Sequence, residues 1–323
     1  MPSSGRIEEV DALRGFAIFL VVLGHSIIFF PVNLHENFYC EFVFRWLSSV
    51  HMPLMFMIAG FCWSCKDYST YTRKKFLRLV IPYVAFNILD MFPRFLLSSL
   101  VRRPRSFGES AVKFLLYGGE YWFLYTLFVI FLIYPLIFRL AGSSRRNMAV
   151  FCALSFVISL HGVSISAFNI GSAAHYMFFF HVGVCMKYFA GGKWPEMKIP
   201  AFMLPIMIGV WLAVLFKVKG LGIFAALAGI ASCCIVARHE IFRRMFSRFG
   251  EYSLQLYLLN GFTLGISRAV ICNVFHVSQP VMIIAFNMLI DFYASYMLAK
   301  YACAKSEIVA RIMGFPFQRG NSK

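Results

Sequence analysis

Apolar runs of helical length, each closed by a few polar or basic residues, recur along the chain from end to end. Each approaches the roughly 20 residues that a helix needs to cross a hydrocarbon core about 30 Å thick. The pattern predicts about ten spans, near residues 12–30, 42–64, 79–100, 119–139, 147–165, 170–190, 199–217, 220–237, 252–271 and 280–300. The fifth is short and ends near His161-Gly162. Connections are brief, so the expectation is all-α: one polytopic transmembrane helical bundle, residues 1–323, with a core of about 8–300 and a basic tail, 301–323. The first run has no small-residue cleavage site after it and reads as a retained helix, not a signal peptide. No internal repeat or low-complexity tract interrupts the series.

Composition agrees with that pattern. Hydrophobic residues make up 60% of the chain, charged residues 14%, and mean hydropathy is +0.72. Soluble domains carry about 25% charged residues. The net charge of +17 does not point to nucleic acid, because the basic residues gather in short loops between apolar runs. With the N-terminus inside, the inner segments hold 22 of the 31 Lys and Arg residues. This predicts both termini in the cytoplasm and a multi-pass protein of the cell (inner or plasma) membrane. Arg102, Arg103 and Arg105 are the exception, in an outer loop. The nine cysteines are odd in number and scattered, which excludes a disulfide framework; Cys62-x-x-Cys65 alone is a weak metal or redox signal.

The first span concentrates the candidate chemistry. In DALRGFAIFLVVLGHS, Asp11 to Ser26, a helix brings His25 within about 20° of Arg14 and lifts it about 16 Å along the axis. Asp11, Arg14 and His25 then form one stripe, with charge at the rim and an imidazole deep in the membrane. A titratable group at that depth is a functional-site candidate by default. An imidazole can take a proton from a hydroxyl near neutral pH. The Arg14 guanidinium suits a phosphate, and Asp11 can hold it at i,i+3. A packing histidine and a snorkelling arginine are the bland alternative.

The inner cluster Arg73, Lys74, Lys75, Arg78 reads as ordinary positive-inside topology or as a phosphate funnel below His25. His51 is either an acceptor-side group or a packed histidine. No H-E-x-x-H spacing occurs, so no metal site is expected; nucleotide-binding and serine-hydrolase signatures are also missing.

Arg14, ten residues, then His25 resembles the first-helix signature of the acyltransferase type 3 membrane family. His51-Met-Pro-Leu-Met-Phe-Met-Ile-Ala-Gly-Phe61 resembles its second-helix block. The likeness is greatest to the branch of fucose 4-O-acetylases and other glycan O-acetylases. Lys75-Phe76-Leu77-Arg78 falls where the family has R-x-x-R, and Tyr121-Trp122-Phe123-Leu124 resembles its W-F-L block. Gly250 to Asn260 resembles its late G-x-x-S-L-x-I-Y-L-L-H helix. Lys75 departs from an arginine and Asn260 from a histidine, so no acid–base role carries over to position 260.

The resemblance implies an O-acyltransferase, with acetyl as the default group, that moves an acyl group from cytoplasmic acyl-CoA to a hydroxyl of a cell-surface or lipid-linked glycan. His25, Arg14 and Asp11 would then carry catalysis, and Lys75, Arg78, His51 and Trp122 would bind substrates. Acetyl-CoA is a donor substrate in this reading; no cofactor is bound, and membrane lipids surround the chain. A secondary transporter and a non-catalytic glycan-export partner are the rival readings. Pro53, Asp90 and Asp291 favour the transporter, but the repeated halves common in transporters are missing.

Overall fold

The computed structural model describes residues 7–28, 36–96, 107–194 and 222–315, with isolated positions between 203 and 212. All regular structure among them is helical. The chain runs through α1 (Glu8–Ile28), α2 (Phe38–Phe61), α3 (Tyr68–Lys75), α4 (Ile81–Leu96), α5 (Phe107–Tyr117), α6 (Trp122–Ala141) and α7 (Arg145–His161). It continues through α8 (Ile170–Phe189), α9 (Gly222–Val236), α10 (Glu240–Glu251), α11 (Ser253–Ala269), α12 (Pro280–Lys305) and α13 (Glu307–Ile312). The expected seventh span, 199–217, lies largely outside the described residues, as do residues 316–323 of the basic tail and the Arg102–Arg105 cluster.

Local chemistry sets the helix starts. Glu8, Glu9 and Asp11 occupy the first turn of α1, where negative charge meets the positive end of the helix dipole. Asn37 caps α2 by accepting from the backbone N–H groups of Tyr39 and Cys40, at 3.0 and 3.2 Å. Asp67 caps α3 by accepting from Thr70 N–H at 2.7 Å. A π turn, Phe76–Val80, joins α3 to α4.

Among the described residues, five segments are long and apolar enough to cross a membrane: α1, α2, the α5–α6 pair from Gly108 to Ala141, Ser253–Val274 and Pro280–Tyr301. A sixth forms if α9 and α10, bent by 108°, count as one. The finer expectation of ten spans divides the rest more than their length and hydropathy do. Helix α7 has only 17 residues, and His175, His181 and Lys187 dilute α8.

Three helices arise where connections were expected. Residues 68–75 fold as α3, residues 107–117 as α5, and the basic stretch 240–251 as amphipathic α10. The Arg residues hide its apolar repeat: Phe242 and Phe246 pack edge-on against Phe16 of α1, with ring centres at 5.1 and 5.2 Å.

Two close crossings organise the bundle. Gly15 of α1 lies against the Phe246 carbonyl of α10, and Gly250 lies against the Asp11 carbonyl; a Cβ at either would strike backbone. Gly60 of α2 meets the Phe180 carbonyl of α8, and Gly183 meets the Met57 carbonyl in the same way. Small residues let helix backbones approach this closely in a membrane, where packing replaces the hydrophobic drive.

Candidate active site

At the end of the bundle where α1 begins, Arg14 is held between two partners. Its Nη1 donates to Asp11 Oδ1 at 3.3 Å, the i,i+3 pair expected from the sequence. Its Nη2 donates to Cys62 Sγ at 3.0 Å, just beyond the C-terminus of α2. Lys75, the last residue of α3, and Arg78, in the π turn, face the same space. Together with Met55, Tyr257 and others they line a cavity of about 230 Å³. The Lys75 Nζ sits 3.9 Å above the Phe131 ring centre. Burial pushes the Lys75 ammonium down to about 8, and the positive charges of Arg78 and Arg14 add to the shift. Asp11 pairs with Arg14 and Glu251 also lines the cavity, so Arg14, Lys75 and Arg78 leave a net positive charge that a phosphate-bearing ligand would offset.

The other end of α1 carries His25. This residue lines a second cavity of about 460 Å³ with Ile28, Lys113, Tyr117, Gly119, Glu120, Trp122, Asn169 and Ser172. Lys113 and Glu120 form an ion pair at 2.7 Å. The turn before Trp122 depends on two glycines: Gly118 and Gly119 have φ of +77° and +60°. A Cβ on Gly119 would collide with Asn87, whose Oδ1 accepts from Glu120 N–H at 3.3 Å. Asn87 is itself anchored, donating to the Tyr83 carbonyl at 2.8 Å. The turn thus presents a carboxylate and an indole to the chamber that holds His25.

Two residues to which the sequence assigns no role, Asn260 and Arg268, secure this end of α1. Buried Asn260 of α11 places its amide Nδ2 at 2.7 Å from His25 Nδ1. Fully buried Arg268, two turns on, donates from Nη1 to the Ser26 carbonyl at 2.7 Å. Behind them, the Thr263 hydroxyl is bonded to the Asp291 carboxylate and lies 2.7 Å from Ser295 Oγ. Ser267 donates to Asn287 Oδ1 at 2.9 Å. This polar seam ties α11 to α12. A polar residue every three to four positions in α11 is its one sequence signal; its partners are remote in the chain.

The structure thus brings Asp11, Arg14, Lys75 and Arg78 together, and separately His25 and Trp122. His51 joins neither cavity lining. Its Nδ1 donates to the Leu47 carbonyl of its own helix at 2.7 Å, although it lies within electrostatic reach of His25. Among the described residues, His175 and His181 each find local partners elsewhere: Ser159 at 2.9 Å for one, Tyr134 at 2.7 Å for the other.

A chain whose described residues form only helices, several of them of membrane length and apolar, and whose first helix meets a cavity lined with charged side chains at each end, is a multi-pass membrane protein. Residues 7–300 match the family described as an acyltransferase domain, and the chain belongs to that acyltransferase type 3 family. Nodulation protein NolL of Sinorhizobium fredii (strain NBRC 101917 / NGR234) is 28% identical over 170 residues, covering 51% of this chain and 44% of NolL. The chain therefore aligns with less than half the length of that relative. No solved structure matches the chain.

Proposed function

We propose that this protein is an O-acyltransferase of the cell membrane, acetyl being the group moved. Cytoplasmic acyl-CoA is the donor and a hydroxyl of a cell-surface or lipid-linked glycan is the acceptor. Both termini are cytoplasmic, with about ten spans. The cavity of Arg14, Lys75 and Arg78 then opens inward and the cavity of His25 and Trp122 opens outward. The observation that carries the reading is the placement of Arg14 and His25 on one helix, each in its own cavity.

In this scheme the CoA phosphates sit among Arg14, Lys75 and Arg78. Asp11 fixes the Arg14 fork so that two of its N–H groups face a phosphate. The pantetheine arm extends along α1 and brings the thioester toward His25. The acceptor sugar enters from the opposite cavity, where Trp122 and Tyr117 offer apolar faces and Glu120, Asn169 and Ser172 offer hydrogen bonds. His25 takes the proton of the acceptor hydroxyl as its oxygen attacks the thioester carbonyl. The C–S bond breaks, the acyl group stays on the sugar oxygen, and the CoA thiolate receives the proton from the imidazolium. Positioning and a single base suffice for an activated thioester.

The test is incubation of the purified full chain in proteoliposomes with radiolabelled acetyl-CoA and a glycan-lipid extract. Label in the glycan that depends on protein and time is the expected result. Label that never leaves CoA with any glycan-lipid extract would overturn the acceptor assignment.

A further inference from the structure

Helix α11 grips the His25–Ser26 step of α1 at two points. Asn260 meets the His25 ring at Nδ1, and Arg268 holds the next carbonyl along. Among the described residues, no hydrogen bond takes up Nε2, and His25 lines the larger cavity. Asn260 is 1% exposed, and its Oδ1 is buried without a hydrogen-bond partner. The two ends of an amide fill nearly the same space, so half a turn about Cβ–Cγ puts Oδ1 where Nδ2 stands. The two orientations have opposite chemical consequences. An Nδ2 that donates to Nδ1 forces the ring proton onto Nε2, and His25 cannot then accept a proton from a substrate in the cavity. An Oδ1 that accepts from Nδ1–H frees the Nε2 lone pair for the cavity.

We infer that Asn260 is the positioning residue that fixes the proton on His25 Nδ1 and leaves Nε2 as the base, the amide turning its oxygen to the ring. This inference rests on the acyl-transfer reading. An amide does this without burying a second charge within the bilayer, where a carboxylate partner would be costly. The surroundings hold Asn260 in place. Its own carbonyl lies 3.5 Å from the Thr263 hydroxyl, and Thr263 is tied to Asp291 and Ser295 of α12. The position cannot transfer protons itself, but it selects which ring nitrogen can.

The experiment combines nitrogen NMR of the full chain, labelled with ¹⁵N-histidine in lipid bilayers, with transfer kinetics. The His25 signals are those lost in His25→Gln. In the wild type they should show Nδ1 protonated and Nε2 bare. In Asn260→Leu the proton should redistribute to Nε2, and kcat should fall about 10- to 100-fold, as for other residues that orient a reactive imidazole. Acyl-CoA affinity should stay unchanged. In Asn260→Asp the carboxylate should keep the proton on Nδ1 and move the acidic limb of the rate profile to higher pH. A wild-type ring protonated on Nε2 would overturn the inference. So would wild-type kcat in Asn260→Leu, or an unmoved acidic limb in Asn260→Asp. If Asn260→Leu does not fold, the wild-type spectrum and the Asp variant decide. The NMR result is independent of turnover, so absence of transfer in the wild type would remove the acyl-transfer reading while still reporting the tautomer.

Discussion

His25 is where a single substitution separates chemistry from packing. Glutamine keeps similar bulk and a polar contact for Asn260, but it cannot take up a proton near neutral pH. His25→Gln is expected to insert, fold and bind acyl-CoA. Its transfer rate in proteoliposomes should drop about 100- to 10,000-fold, roughly 3 to 5 kcal/mol of barrier. A turnover near that of the wild type would place the base elsewhere. At the other end of α1, Lys75 is charged below its depressed value of about 8 and neutral above it. A phosphate binds the charged form, so acyl-CoA affinity should fall as pH rises from about 7 to 9, and binding near pH 8 should take up protons. Calorimetry in buffers of different ionisation enthalpy measures that uptake, and Lys75→Arg should flatten the pH dependence. The grouping of Asp11, Arg14, Lys75 and Arg78 at one end of α1 was readable in the sequence, because these are charges beside apolar runs. The Asn260–His25 pair was not, since 235 residues separate its members and an amide in a span gives no signal of its own.

At the scale of helices, the crossings matter more than the helices crossing. The α1–α10 contact brings backbone to backbone at Gly15 and Gly250, and it holds the turn of α1 that carries Asp11 and Arg14. Gly250→Val has no room to relax against the Asp11 carbonyl. It should cost about 1 to 3 kcal/mol or more, with a lower melting temperature and weaker acyl-CoA binding. Gly108→Ala, whose Cβ meets open space, is the control and should leave both unchanged. The α11–α12 seam behaves differently. Asp291→Asn retains hydrogen-bonding capacity toward Thr263 and Ser295, whereas Asp291→Ala removes the carboxylate acceptor they share and leaves Thr263 only the carbonyls of its own helix and the Ser295 hydroxyl. The Ala variant should lose about 1 to 2 kcal/mol more than the Asn variant, a gap that thermal unfolding in detergent can read. Apolar periodicity revealed the long helices. It concealed α10, where three arginines interrupt the phenylalanine stripe, and it could not show which glycines serve as contact points.

For the molecule as a whole, the proposed orientation makes the two cavities accessible from opposite sides. A version of the protein retaining Cys62 as its single cysteine should react with a membrane-impermeant maleimide only from the cytoplasmic side, because this exposed thiol borders the Arg14 cavity. Trp122→Cys in a cysteine-free background should react only from outside. Labelling of both from one side would refute the orientation. Charge bias suggested which end faces in, but the existence of two chambers follows from which helices the fold brings to either end of α1, a three-dimensional fact that hydropathy does not encode.

The order of residues at the start of α6 has one more consequence. Trp122 faces one chamber and its neighbour Phe123 faces the other. Phe123 is buried with its ring edge-on to Phe56 and Tyr257, at 5.0 and 5.5 Å. In the proposed orientation this ring stands between a cavity open to the cytoplasm and one open to the outside, so its loss should give protons a path. Phe123→Gly liposomes should dissipate an imposed proton gradient faster than wild-type liposomes, measured with an internal pH dye. The aromatic plug would then be what lets an enzyme pass an acyl group through a bilayer without short-circuiting the cell that lives behind it.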